Sequence, residues 1–321
     1  MKKKIILVTG DPNSINSEII FKSWKKLSSK KRENIFLISN FNLLKDQFKK
    51  LKYKINPVIV KNIFKTEKTD NMKIINIDIN YKNPFNVSKK AASKFIIKSL
   101  NLAHRLALNK NIAGIINCPI NKNLLNKKNS GVTEFLSSKC LIKNDMASMV
   151  IGNSVLMVSP ITIHLDLKSV SKKLKKSLIV NKVKKLDIWF KKLFKRKPNV
   201  ALLGLNPHNA EFKKDSEERK IILPAIKKLK KLGLSLSGPL PADTIFINDY
   251  KNYDIIVGMY HDQVLAPFKS LFKFDAINIT VGLKYIRVSP DHGVALDKIL
   301  LKKSNPESLL KCFDFIFKSN K

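Results

Sequence analysis

Short runs of Ile, Leu and Val alternate along the chain with longer stretches in which apolar residues return every three or four positions. The runs have the length of buried β-strands, and the longer stretches have the period of amphipathic helices. Regular alternation of the two is typical of an α/β protein. The pattern predicts strands over 5–9, 35–39, 74–79, 113–117, 154–159, 200–205, 254–259 and 275–280, and helices over 17–27, 43–51, 88–106, 169–194, 217–232 and 306–317.

Composition narrows the class of protein further. The chain has 321 residues, of which 44% are hydrophobic, enough for a sizeable core in one large or two ordinary domains. No apolar run approaches the roughly 18 residues of a membrane span, and the run after Met1 is too short for a signal peptide. Cys118, Cys140 and Cys312 are far apart, which gives no sign of a disulfide framework or a cysteine zinc site. We therefore expect a soluble, cytoplasmic protein without a membrane partner.

The formal net charge of +38 raises the question of a polyanionic partner. Only five of the 62 basic residues are arginine, the residue that nucleic-acid surfaces favour for bidentate contacts. The lysines are also spread along the whole chain instead of forming one arm or one helix. A lysine-rich composition therefore explains the charge better than a specific nucleic-acid partner does, and non-specific polyanion binding stays open as the alternative.

Three of the five histidines each follow the end of a predicted strand. They are His164, His208 and His261. In open α/β sheets, ligands bind at the edge formed by the carboxyl ends of the strands. Three imidazoles that converge there form the ligand set of a catalytic divalent cation with one position left for substrate. The competing interpretation is that each histidine is an ordinary surface or supporting residue.

Downstream of the last of these histidines, three residues suited to anion binding recur at intervals of nine. They are Lys269, Asn278 and Arg287. The guanidinium of Arg287 presents a fixed fork to an oxyanion, lysine adds a point charge, and Asn278 adds a neutral donor. The set predicts a phosphomonoester site beside the metal, although Lys269 alone is equally typical of a protein surface.

Several stretches of the chain carry the motifs of one enzyme family. They are 118–122 (Cys-Pro-Ile-Asn-Lys), 206–208 (Asn-Pro-His), 238–244 (Gly-Pro-Leu-Pro-Ala-Asp-Thr), 259–263 (Met-Tyr-His-Asp-Gln) and 291–297 (Asp-His-Gly-Val-Ala-Leu-Asp). In these motifs and their order, the chain resembles the 4-hydroxythreonine-4-phosphate dehydrogenases, NAD-dependent enzymes of the deoxyxylulose-phosphate-dependent route to pyridoxal phosphate. The similarity runs nearly from end to end.

The resemblance implies a fold like that of isocitrate and isopropylmalate dehydrogenases, with two intertwined α/β domains and a cleft. We place the first domain at 1–128 plus 281–321 and the second at 129–280. The resemblance also implies a homodimer whose active sites draw on both subunits and take a small phosphorylated substrate.

Three groups of residues fall on the family's functional positions. The implied ligands of a divalent cation (zinc, magnesium or cobalt) are His164, His208 and His261. The implied substrate contacts are Thr133, Lys269, Asn278 and Arg287. The residues similar to the segment that meets the adenosine end of NAD are Asp291, His292 and Asp297.

The implied reaction is oxidation of 4-phosphohydroxy-L-threonine to 2-amino-3-oxo-4-phosphobutanoate, which loses carbon dioxide to give 3-amino-2-oxopropyl phosphate. Oxidising a hydroxyl group requires a base within about 3 Å of its proton, directly or through one water. Asp243, in a Pro-Ala-Asp-Thr turn, is our candidate for that base. An aspartate that merely caps the turn is the alternative.

The chain departs from the family pattern at two places near the candidate site. Val132 stands where the family has a histidine before Thr-Glu-Phe-Leu, and the glycine-rich turn after His208 is here Asn-Ala-Glu-Phe-Lys-Lys. Glycine allows close backbone approach to a ligand, and these residues restrict it. Two alternatives therefore stay open: a dehydrogenase of a phosphorylated sugar acid such as threonate or erythronate phosphate, and a basic nucleic-acid-binding protein without catalysis.

Overall fold

The computed structural model describes residues 3–125, 131–141 and 148–319. The chain folds into two compact units, the first formed by Met1–Leu141 with Leu283–Lys321 and the second by Ile142–Gly282. Each unit combines β-strands with helices, which confirms the predicted α/β fold class. The chain passes between the units at 141 and 282, where the sequence placed the boundaries at 128 and 280.

The first unit is built on a parallel sheet with strand order β3-β4-β2-β1-β5-β12. With elements numbered in chain order, its strands are β1 (Lys4–Val8), β2 (Ile35–Ser39), β3 (Pro57–Ile59), β4 (Met72–Asn76), β5 (Ile112–Asn117) and β12 (Arg287–Pro290). Strands β1, β2 and β5 are buried along nearly their whole length. Continuous apolar runs of this kind mark strands covered on both faces, which explains why the sequence revealed these three.

Helices α1 (Asn16–Lys26), α2 (Ser29–Arg32), α3 (Phe41–Lys50), α4 (Lys89–Ala107), α5 (Val132–Lys139) and α10 (Glu307–Lys318) complete the first unit. Helix α4 buries Phe95, Ile96 and Leu100 against Ile6 and Val8 of the central strand β1. Each apolar side chain buried in this way stabilises the fold by about 1.5–3 kcal/mol.

Helix α5 explains why the first unit extends to 141. Its residues Phe135 and Leu136 are buried in the same apolar cluster as Phe95 and Leu100 of α4. The boundary expected at 128 from the resemblance precedes this helix, whose eight residues contain too few apolar positions to show a helical period. Tertiary packing, not local pattern, assigns α5 to the first unit.

The second unit has a mixed sheet with strand order β11-β6-β7-β10-β8-β9. The strands are β6 (Ser148–Gly152), β7 (Met157–Pro160), β8 (Val200–Leu203), β9 (Leu236–Leu240), β10 (Ile255–Gly258) and β11 (Ile277–Val281). Strand β6 pairs antiparallel with both β11 and β7, whereas β7, β10, β8 and β9 run parallel to one another. Strand β9 escaped sequence prediction because it contains Pro239, which a strand tolerates mainly at the edge of a sheet.

The helices of the second unit are α6 (Leu167–Lys173), α7 (Lys176–Phe194), α8 (Leu223–Lys231), preceded by a π-helical turn at Glu218–Ile222, and α9 (His261–Phe272). The predicted helix over 169–194 is broken at Leu174, which is buried in an extended conformation. Helix α9 was not predicted, because Pro267 lies inside it and proline disfavours a helix interior. Within the described residues, no helix is long and apolar enough to cross a membrane.

The N-terminus of α3 offers a test of this fold. Asn40 Oδ1 accepts a hydrogen bond from Leu43 N at 2.9 Å, and Asn40 Nδ2 donates to Ile77 O at 3.0 Å. We expect Asn40→Ala to lower the free energy of unfolding by about 1–2 kcal/mol, measured by urea denaturation, because the helix loses its N-cap. Asn42→Ala, at an exposed position in the same turn, is the control and should change it by less than about 0.5 kcal/mol. Equal effects would contradict the capping role.

Candidate functional site

The three histidines predicted as metal ligands follow three adjacent parallel strands of the second unit. Strand β10 lies between β7 and β8 in the sheet. His164 comes after β7, His208 after β8 and His261 after β10, each within a few residues of the strand end. Because parallel strands end at a common edge, the three segments lie along the same edge of this sheet, where α/β proteins bind ligands.

Two of the histidines lie close together at this edge. The ring centroids of His164 and His261 are 6.1 Å apart. With zinc–nitrogen bonds of about 2.0–2.1 Å at a tetrahedral angle, two imidazoles on one ion have ring centroids about 5 Å apart, so this pair is about 1 Å wider than a shared tetrahedral zinc requires. Asp262 Oδ1 accepts from Nδ1 of His261 at 2.6 Å, so Nε2 remains for a metal, in the arrangement that orients metal-binding histidines. The donor set of this pair therefore fits a divalent cation.

His208 does not complete the set within one chain. Across residues 3–125, 131–141 and 148–319, no group of three or more His, Cys, Asp or Glu is arranged to hold a metal ion. His208 begins a run of left-handed residues that continues through Asn209, Ala210, Glu211 and Phe212, with φ between 48° and 56°. The assignment of the three histidines to one cation therefore stays a prediction.

The left-handed turn occupies the place of the family's glycine-rich turn. Left-handed backbone costs a residue with a Cβ atom roughly 1–2 kcal/mol, which glycine avoids. Asn209 holds the turn from inside, since its side chain is buried and Nδ2 donates to Pro239 O at 3.1 Å. This chain thus holds a left-handed turn without glycine, by tertiary contacts.

In the first unit, the structure brings together Thr133 and Arg287, both predicted substrate contacts. Arg287 Nη1 donates to Thr133 Oγ1 at 3.2 Å, and Nε donates to Asn117 Oδ1 at 2.6 Å. The guanidinium is 4% exposed, and burial lowers the pKa of Arg287 to about 10, so the group is still charged at neutral pH. A buried, oriented guanidinium is suited to grip an oxyanion.

The other predicted substrate and base residues lie in the second unit. Lys269 is exposed in the last turn of α9, and Asp243 is exposed in the turn after β9. Asn278 lies on β11, and its Oδ1 is buried with no hydrogen-bond partner among the described residues. An amide oxygen of that kind is available to a ligand. The three residues lie on three different parts of this unit: α9, the turn after β9, and β11.

The segment predicted to meet NAD follows β12 in the first unit. Asp291 N donates to Ser308 Oγ at 2.9 Å, which ties the segment to α10, and Asp297 is exposed in a short 3-10 turn. His292 Nδ1 is 2.9 Å from Gly293 O, while its Nε2 is buried and finds no partner in the described part of the chain. Buried polar atoms are normally hydrogen-bonded, so this orphaned nitrogen fits a site that a polar ligand such as a nucleotide completes.

Sequence analysis assigned no role to three polar residues that hold these strand ends: the buried Asn117 and Glu218 and the half-buried Gln263. Their partners include Arg287 Nε, Leu205 N and Gly204 O, which lie 13 to 170 positions away in sequence, so spacing alone does not reveal them. One signal was present. Gln263 and Asn117 each lie within a few positions of a strand end, as the predicted histidines do.

Comparisons with known proteins agree with this architecture and with the motifs. The model of the family described as pyridoxal phosphate biosynthetic protein PdxA matches residues 31–316. A relative from Sulfurihydrogenibium sp. named 4-hydroxythreonine-4-phosphate dehydrogenase is 35% identical over 317 residues, covering 97% of this chain and 96% of that protein. The D-threonate 4-phosphate dehydrogenase of Pectobacterium atrosepticum is 33% identical over 225 residues, 68% of each chain.

A solved structure shows the same fold. The 1.25 Å crystal structure of 4-hydroxythreonine-4-phosphate dehydrogenase from Klebsiella pneumoniae superposes with a TM-score of 0.86 at 26% identity, and each chain is covered completely. These matches define an oxidoreductase of the dehydrogenase class. The chain belongs to the pyridoxal phosphate biosynthetic protein PdxA family.

The left-handed turn after His208 gives a stability test. We expect Ala210→Gly to raise the free energy of unfolding by about 1 kcal/mol in urea titrations, because φ is 50° at Ala210 and glycine removes the Cβ clash. Glycine also raises the conformational entropy of the unfolded chain, which acts against this gain, and the expected value of about 1 kcal/mol already includes that loss. The control, Ala225→Gly in α8, should lower the free energy of unfolding by about 1 kcal/mol or more. A loss of stability in both variants would contradict the left-handed assignment.

Proposed function

We propose that the chain oxidises 4-phosphohydroxy-L-threonine with NAD in pyridoxal phosphate biosynthesis. The carbon that bears the free hydroxyl group loses a hydride to NAD, the hydroxyl proton goes to a base, and 2-amino-3-oxo-4-phosphobutanoate results. Loss of carbon dioxide from this β-keto acid then gives 3-amino-2-oxopropyl phosphate. The observation that carries the proposal is the match over 97% of the chain to a relative of that name, with the histidine motifs in place.

The residues of the chain have distinct parts in this reaction. Arg287 and Thr133 bind the phosphate or another oxyanion of the substrate, with Lys269 and Asn278 as further contacts. Asp243 takes the hydroxyl proton, since it is an exposed carboxylate in the Pro-Ala-Asp-Thr turn. The segment that contains Asp291, His292 and Asp297 binds the adenosine end of NAD, a role supported by the orphaned Nε2 of His292.

His164, His208 and His261 hold the divalent cation, for which zinc, magnesium and cobalt are candidates. When bound, the cation lowers the pKa of a coordinated hydroxyl group and stabilises the negative charge that develops on its oxygen. A homodimer with shared active sites accounts for the incomplete ligand group of one chain, since a second copy supplies the missing imidazole. The protein acts in the cytoplasm, where this biosynthesis has its substrates.

A second candidate function is oxidation of D-threonate 4-phosphate. One relative carries that name, and Val132 replaces the histidine that the family has beside Thr133. Val132 packs against the apolar core of the first unit and so offers no hydrogen bond to a substrate. A site with one donor fewer discriminates less sharply between phosphorylated hydroxy acids.

Formation of NADH from the two substrates tests the proposal. We expect a higher kcat/KM for 4-phosphohydroxy-L-threonine than for D-threonate 4-phosphate, followed by absorbance at 340 nm. Treatment with a chelator should abolish turnover, and an added divalent cation should restore it, because the ligands are side chains of the protein. A preference for the sugar-acid phosphate would establish the second candidate, and no NADH from either would refute both.

Arg287 provides a prediction about binding. We expect Arg287→Lys to raise KM for the phosphorylated substrate by about 10–100-fold with a smaller change in kcat, because lysine cannot reproduce the guanidinium fork. Steady-state kinetics with varied substrate measures both constants. Arg196→Lys, on the surface of the second unit and paired with Asp254, is the matched control and should leave KM unchanged. Wild-type KM in the Arg287 variant would remove this residue from the site.

A further inference from the structure

One glutamine side chain joins two strand ends that carry histidines. The parallel ladder between β10 and β8 pairs Val257 with Leu202 as its last described rung. Beyond it, Gln263 Oε1 accepts from Met259 N at 2.6 Å, and Gln263 Nε2 donates to Gly204 O at 2.7 Å. The side-chain amide thus acts as one more rung, bridging the segment before His261 to the segment before His208.

The segment that carries His164 is joined to the same point. Met259 O accepts from Thr162 N at 3.1 Å and from Thr162 Oγ1 at 2.7 Å. Met259 therefore links the end of β7 through Thr162 and the end of β8 through Gln263. All three histidine-bearing segments are connected by hydrogen bonds of buried or half-buried groups.

Glu218 holds the segment that follows β8 and leads to His208. Its Oε1 accepts from Leu205 N at 2.7 Å and from Asn206 N at 2.9 Å, and its Oε2 accepts from Asn206 Nδ2 at 3.0 Å. The residue is fully buried; burial acts to raise the pKa of Glu218, but the hydrogen bonds from Asn206 and Leu205 outweigh burial and lower it. The carboxylate therefore stays ionised and holds the two residues that lead into Pro207 and His208.

Two glycines, Gly258 at the end of β10 and Gly204 just after β8, lie against the side chains that hold these strand ends. A Cβ atom on Gly258 would lie 2.9 Å from Gln263 Oε1 and 2.6 Å from Val264 Cγ1. A Cβ atom on Gly204 would lie 2.0 Å from Asn209 Oδ1 and 3.2 Å from Glu218 Oε1. The approaches below 3.0 Å are closer than real Cβ contacts, so the absence of a Cβ atom at Gly258 and Gly204 leaves room for the side chains packed there.

We propose that Gln263, with Glu218 as its anchor on the β8 side, is a positioning residue that sets the placement of His208 and His261 for metal binding. Neither side chain contacts the cation; each acts on the backbone that presents the imidazoles. The inference rests on the proposed function in so far as it takes these histidines as ligands. Supporting contacts of this kind commonly change metal affinity by about 10–100-fold when removed.

Zinc affinity of the metal-free protein tests the proposal without reference to turnover. We expect Gln263→Met, nearly equal in volume and without the amide, to raise the zinc Kd by about 10–100-fold in competition with a chromophoric chelator. The visible spectrum of the cobalt-loaded variant should also shift from that of the wild type, because the ligands move. Gln47→Met is the matched control, since Gln47 is buried in the first unit and donates to Pro12 O and Pro84 O at 2.8 and 2.7 Å. It should retain the wild-type zinc Kd and cobalt spectrum.

One reference variant, His261→Ala, separates this inference from the proposed function. If wild-type protein binds zinc and His261→Ala weakens that binding, the metal centre stands, and a wild-type zinc Kd in Gln263→Met overturns the positioning role alone. If His261→Ala binds zinc as the wild type does, the metal centre of the proposed function is refuted. Should Gln263→Met fail to fold, Glu218→Gln tests the proposal in its place. This substitution replaces one of the two acceptor oxygens that face Asn206 by an NH₂ donor. We expect it to raise the zinc Kd by a smaller factor, and an unchanged Kd overturns the proposal.

Discussion

Parallel strands end together at one edge of their sheet, and the segments that carry the three candidate histidines are brought together by this constraint. In the second unit, β7, β10 and β8 are neighbours, so the segments after them lie side by side with His164, His261 and His208. In the first unit, β1, β5 and β12 are neighbours, and Ile15 N after β1 donates to Val294 O after β12 at 3.2 Å. Residues far apart in sequence meet because the sheet order brings their strands together.

The same edge is where backbone groups lose their ladder partners, so side chains must replace them. Gln263 replaces a rung between β10 and β8, and Glu218 accepts from two amides beyond β8. Asn117, at the end of β5, orients Arg287 through Nε. Unpaired, each buried group would cost about 1–3 kcal/mol, so the polar residues at the edge stabilise the fold as well as orient the candidate site.

Sequence patterns predicted the fold class and the strands that are buried throughout, such as β1 and β2, because continuous apolar runs are a local signal. They also identified His164, His208 and His261, because a polar residue directly after such a run stands out. They did not reveal α9, which begins at His261 and contains Pro267, or the exchange of hydrogen bonds through Gln263. Helix α9 was missed because of its proline, whereas the bonds through Gln263 depend on which strands become neighbours, a property of the whole sheet. The grouping of the three histidines on one cation stays a prediction, because no three such side chains are arranged to hold a metal ion among the described residues.

The turn after His208 shows how tertiary contacts can replace a local preference. Its residues retain positive φ although none is glycine, so the backbone conformation is imposed from outside the turn. Glu218 holds the chain before the turn, and Asn209 Nδ2 holds it from within by donating to Pro239 O. These contacts hold the backbone on both sides of His208 without the help of glycine. The hydrogen bonds that close the end of β8 therefore also fix the backbone that leads to this candidate ligand, because Glu218 accepts from both Leu205 N and Asn206 N.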